Sequence, residues 1–220
     1  MAWLATNETG EWFNYTNDRP KYGSPINITT NPITGANITN FTWSNSTLEG
    51  NTTVQWKIYY NDSSGNINET DVFNFSITPT ISISTLISTV EFGPLTAGIS
   101  NYTMTIDGSP LPFVIRNDGN YRANLTIEST NLFPAGNLNP TLFFMFNSSL
   151  NETGSVWNTA TDLINPFTRV AASGSPVKFA TNLNWTDIND EIRGHLNITI
   201  PVNESAGGKS AEITFTASQG

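Results

Sequence analysis

Apolar and aromatic residues alternate with polar ones at a period of two along nearly the whole chain, in short runs closed by Gly, Pro, Asn and Asp. Alternation of this kind turns one face of an extended segment inward and the other toward water, so the pattern predicts strands. In the first third these are residues 2–5, 11–16, 38–44, 53–60 and 70–77, with Trp43, Trp56, Ile58, Tyr60, Phe73, Phe75 and Ile77 as inward stripes. Asn61-Asp62-Ser63-Ser64-Gly65-Asn66 favours turn and left-handed conformations and reads as a hairpin loop. At Thr78-Pro79-Thr80 the proline removes a ladder donor and interrupts the pattern, which places a domain boundary there. Nine further strands are predicted at 81–84, 90–95, 102–106, 113–116, 122–128, 142–147, 177–180, 196–201 and 211–216, separated by longer loops at 134–140 and 150–175. Only residues 160–164 carry a weak helical period. The expected architecture is all-β, with two consecutive β-sandwich domains at 1–78 and 79–220.

Composition adds a location. Asn-x-Ser/Thr triplets begin at Asn7, Asn14, Asn27, Asn37, Asn40, Asn45, Asn51, Asn61, Asn68, Asn74, Asn101, Asn124, Asn147, Asn151, Asn184, Asn197 and Asn203. With 29 Asn and 51 Ser plus Thr in 220 residues, random order would give roughly seven such triplets. Strand alternation alone also places Asn and Thr two apart on one face, but it has no direction. The reverse order, Ser/Thr-x-Asn, occurs only at Asn31, Asn66, Asn131 and Asn151. Direction is what a glycosyltransferase reads, so the excess implies an exported, N-glycosylated, extracellular chain.

Charge and cysteine content narrow the classes further. Charged residues are 12% of the chain, the net charge is −9 and the pI is near 4.4. Scattered Lys and Arg in an acidic chain argue against nucleic acid and anionic membranes as partners. Cysteine is absent, which removes disulfides, zinc clusters and thiol nucleophiles, and favours a prokaryotic, particularly archaeal, surface protein. The opening residues have no basic n-region or long apolar h-region, and no apolar run is long enough for a transmembrane segment.

Candidate chemistry is sparse. His195 is the single histidine and, at a strand edge, reads as a solvated surface residue; no Gly-x-Ser-x-Gly elbow exists for a hydrolase. The Gly-Ser-Pro repeats at Gly23, Gly108 and Gly174 read as turns. Asp187, Asp190 and Glu191 form the densest acidic cluster, a solvated loop or else a calcium site, because hard cations take several oxygen ligands. No other cofactor is implied. An exposed row of Trp3, Trp12, Trp43, Trp157 or Trp185 could stack on sugar rings, but Trp43 and Trp56 read as core, and Trp185 lies inside an Asn-x-Thr triplet, an odd place for an open sugar platform.

Residues 41–45, 50–66 and 70–77, containing Phe41-Thr42-Trp43, Gln55-Trp56-Lys57-Ile58-Tyr59-Tyr60 and Val72-Phe73-Asn74-Phe75, resemble the closing strands of immunoglobulin-like or fibronectin-like repeats of archaeal cell-surface proteins. The pieces Val90-Glu91-Phe92-Gly93-Pro94-Leu95, Phe113-Val114-Ile115-Arg116-Asn117-Asp118-Gly119-Asn120 and Ala211-Glu212-Ile213-Thr214-Phe215 resemble a second surface module that follows such repeats. The resemblance implies a non-catalytic component of an S-layer-like envelope or filament, whose partners are copies of itself, neighbouring envelope proteins and covalent N-glycans. About seven strands make a complete domain of this type, and residues 1–78 fall a strand or two short. Either Met1 is an arbitrary start within a larger repeat protein, or the vacancy is filled by a strand from another subunit. A carbohydrate-binding or partner-cell-binding adhesin is the alternative. Bare surface for any partner is expected at the sequon-poor stretches 77–100, 131–146 and 157–182.

Overall fold

A computed structural model describes residues 2–7, 12–14, 48–103, 108–133 and 143–220. Among them the chain is nearly all β, in antiparallel sheets, and it divides into two compact units, Met1–Pro79 and Thr80–Gly220. No helix among the described residues is long and apolar enough to cross a membrane.

Among the described residues the first unit holds one sheet of β1 (Ala2–Thr6), β2 (Phe13–Asn14), β3 (Thr53–Asn61), β4 (Ile67–Glu69) and β5 (Phe73–Ser76). Its order is β2-β1-β3-β4, with β5 also against β3. β3 and β4 are joined by the expected hairpin. Asp62 Oδ1 accepts from the Ser64 and Asn66 amides at 2.8 and 2.9 Å, and Gly65 takes the positive φ of 82° that closes the turn. The inward stripe differs from expectation. Tyr60, Phe73 and Phe75 are exposed and Trp56, Ile58 and Ile77 half-buried, whereas Leu4, Ala5 and Val54 are buried. Aromatic rings are large enough to stack on each other at a surface, as Trp56 and Phe73 do at 4.7 Å, without entering a core. Trp43 and the strand expected at 38–44 lie outside the described residues.

The second unit contains β6 (Ile83–Ile87), β7 (Ser100–Tyr102), β8 (Phe113–Asn117), β9 (Ala123–Ser129), β10 (Phe144–Leu150), α1 (Thr159–Asp162), β11 (Thr168–Arg169), β12 (Val177–Leu183), β13 (Glu191–Thr199) and β14 (Ile213–Gln219). Six strands run in the order β11-β10-β13-β8-β6, with β7 beside β13; the other three run β12-β9-β14. Strict alternation buries Ala123, Leu125 and Ile127 of β9, and Phe144 and Phe146 of β10. Rings from both sheets interlock: Phe146 of β10 stacks on Phe179 of β12 at 5.8 Å, Phe179 meets Phe215 of β14 edge-on at 5.0 Å, and Phe215 meets Phe113 of β8 at 5.6 Å. Gly194 makes room for them. A Cβ there would stand 3.0 Å from Phe179 Cζ, so the centre of β13 carries no side chain where the ring crosses it.

Three expectations need correction. Residues 90–95 are not a strand, because Gly93 has a φ of 67° and Pro94 offers no donor. β13 starts at Glu191, five positions before the expected 196, and pairs with β10 from Leu150↔Ile192 to Phe144↔Ile198. β11 is extended only through its two pairs, Met145↔Arg169 and Phe146↔Thr168, which no two-residue pattern could announce.

Candidate functional site

Three of the described carboxylates converge at one end of the six-stranded sheet. Pairing of Leu150 with Ile192 brings the turn after β10 against the turn before β13. There Glu152, Asp190 and Glu191 each place a carboxylate oxygen within 4.8 Å of the other two. Glu152 Oε2 accepts the backbone N–H groups of Asp190 and Glu191 at 2.9 and 3.2 Å, and Asn151 Nδ2 donates to Glu191 Oε2 at 2.6 Å. Asp187, expected in this cluster, is exposed and outside the group, while Glu152 was not anticipated. Its only sequence signal was an acid inside the triplet Asn151-Glu152-Thr153.

Two buried aspartates show what hydrogen bonding decides. Asp162, at the end of α1, is pushed up by burial. Donation from the Asn158 N–H, Thr181 Oγ1 and Asn182 Nδ2 outweighs this and holds it below the usual carboxylate value. Asp190 is only 6% exposed, and its carboxylate receives no hydrogen bond among the described residues. Burial, then the charges of Glu152 and Glu191, raise its pKa to about 6.

His195 overturns the expectation of a solvated residue. It is 5% exposed, with Nδ1 at 3.3 Å from Thr103 Oγ1 and Nε2 at 2.9 Å from Ser149 Oγ. A Ser–His contact is the first part of a nucleophile–base pair, but the orienting third group is missing: among the described residues no carboxylate pairs with the ring. Burial, followed by the nearby Arg193 charge, holds the imidazole below its ordinary 6.5.

The pH dependence has a defined sign. Stability that rests on neutral His195 is complete above 6.5 and is lost as the pH falls through the lower folded value, because the unfolded chain takes the proton first. Asp190 acts oppositely in an overlapping window, since its folded form binds the proton first below about 6. The difference between wild type and His195→Gln isolates the imidazole. Urea titrations from about pH 7 to about pH 5 are expected to show the variant losing less stability on acidification; parallel slopes would mean that the ring is solvated.

The acceptor asparagines fall into groups. Asn51, Asn68, Asn74 and Asn203 are exposed. Asn7, Asn124 and Asn151 are half-buried, with Nδ2 donating to Gln55, to the Gln219 carbonyl and to Glu191. Asn101, Asn147, Asn184 and Asn197 are half-buried, and Asn147 Oδ1 has no hydrogen-bond partner among the described residues. Asn14 and Asn61 fall on β2 and the end of β3, while Asn27, Asn37, Asn40 and Asn45 lie outside the described residues. Thr103 and Ser149, the hydroxyl residues of the Asn101 and Asn147 triplets, are the two partners of His195. Among the tryptophans, Trp185 is half-buried and Trp157 is 79% exposed, with the Arg122 guanidinium 5.4 Å from its ring centre. No family model matches this sequence, and neither a curated protein nor a solved structure matches it, so its own residues carry what can be said of its role.

Proposed function

We propose that this chain is a non-catalytic structural or interaction component of an archaeal-type cell envelope or extracellular filament. In this reading it is N-glycosylated, lies outside the cell and is built of immunoglobulin-like β-sandwich domains. The carrying observation is the directional excess of acceptor triplets, seventeen forward against four reversed. Two further features support it. Asn51, Asn68, Asn74 and Asn203 are exposed, and β14, seven residues long, pairs only with β9 among the described residues. A free edge of that length is where a strand from a second copy or a neighbouring envelope protein would add.

Glycopeptide mass spectrometry of the chain from its native cells tests this reading. Sugar is expected on Asn51, Asn68, Asn74 and Asn203, with lower occupancy at Asn101 and Asn147, whose Thr103 and Ser149 hydroxyls are engaged by His195 in the folded chain. Unmodified peptides at all four exposed positions would remove the reading. Trp157 favours a second one, a carbohydrate-binding adhesin, because an exposed indole offers an apolar face to a sugar ring. Quenching of tryptophan fluorescence by added glycans, abolished in Trp157→Ala, is the corresponding result; unchanged fluorescence would dismiss it.

A further inference from the structure

We propose that Glu152, Asp190 and Glu191 form a binding site for a hard divalent cation, calcium by the type and number of the donors. Clustered acids alone would not warrant this, since solvated loops gather them freely. The separate observation is Asp190. It is buried to all but 6% and lacks any hydrogen-bond donor among the described residues, yet its carboxylate oxygen is directed at the oxygens of the other two acids. Folded chains seldom leave a buried carboxylate without a donor or a counter-charge. Asp162 in the same unit shows the ordinary solution, with three donors on its two oxygens. The Arg116 charge offsets part of the burial of Asp190, but its guanidinium pairs with Asp118 at 2.7 Å, and no lysine or arginine forms an ion pair with Asp190 among the described residues.

The donor set selects the ion. Calcium takes several carboxylate oxygens in a flexible shell, whereas magnesium is held by one or two carboxylates and keeps most of its water. Three carboxylate oxygens within 4.8 Å of one another can meet at one ion with small side-chain movements. Glu152 is already fixed, because its Oε2 accepts the Asp190 and Glu191 amides. Asn151 Nδ2 likewise fixes Glu191. A bound ion would tie the turn after β10 to the first residue of β13 and neutralise repulsion there. This inference does not rest on the surface-protein reading, and it would stand if no sugar were found.

Calorimetric titration of the full chain with calcium chloride, after chelator treatment, tests it alongside a magnesium chloride arm. Saturable calcium binding is expected, stronger than magnesium binding. Asp190→Asn and Glu152→Gln should weaken it by at least about tenfold, and Asp187→Asn by less than about threefold. Thermal unfolding supplies the second readout. Calcium should raise the melting temperature of wild type but not of Asp190→Asn. In chelator, Asp190→Asn should melt at or above wild type, because it removes a buried charge without a partner. Flat heats with an unmoved wild-type melting temperature would overturn the proposal, as would undiminished calcium binding in Asp190→Asn.

Discussion

Phe179→Ala is expected to destabilise the second unit by about 3–5 kcal/mol, the largest single loss a core truncation here should produce. Phe179 is fully buried and touches both sheets. It stacks on Phe146, meets Phe215 edge-on and lies over the backbone of Gly194. The cavity left by its ring cannot collapse easily, because β13 beneath it is paired on both edges. Urea unfolding should show a lower midpoint with an unchanged denaturant slope. Phe73→Ala is the control: that ring is 46% exposed, and its loss should cost well under about 2 kcal/mol. If the two variants lose equal stability, the four rings do not form the shared core described above.

Asn117→Asp is expected to cost about 3 kcal/mol or more although it changes almost no volume. Asn117, at the end of β8, is fully buried. Its Nδ2 donates to the Tyr121 carbonyl at 2.9 Å and to the Leu183 carbonyl at 3.2 Å, while Oδ1 accepts from the Gly119 amide at 3.0 Å. Leu183 ends β12 in the opposite sheet, so this amide bridges the two layers. A carboxylate would set a negative oxygen against two carbonyls, with the Gly119 amide left as a donor only to the other oxygen. The loss should be largest at neutral pH and shrink in acid, where protonation restores one O–H donor. Equal loss at both pH values would show that the charge is not what the site rejects.

The all-β class was legible because side-chain period and strand pleat share the number two, a purely local relation. Turn chemistry was equally local: Asp62 and Gly65 shape the β3–β4 hairpin with atoms only a few residues apart. Strand ends were harder. Gly194 and His195 break the apolar rhythm of β13, and only pairing with β10 shows why, since Gly194 accommodates Phe179 and His195 meets Ser149. How deeply each position of the β3 stripe sinks was also undetermined by period. Val54, Trp56, Ile58 and Tyr60 share one face, yet Val54 is buried, Trp56 and Ile58 are half-buried and Tyr60 is exposed.

The chemistry divides along the same line. Seventeen acceptor triplets are a covalent property of residue order, readable with no fold at all. Asp190 and Glu191 are chain neighbours and were visible as a pair, but Glu152 stands 38 residues from Asp190 and joins it only through the antiparallel pairing of β10 with β13. Burial of His195 likewise depends on Thr103 and Ser149, 92 and 46 residues away. Order along the chain settled the strand class, the turns and the positions of the Asn-x-Ser/Thr triplets, since each depends on residues within a few bonds. Folding alone settled which acids share a site and which titratable groups lose water, because desolvation and charge repulsion depend on distance through space.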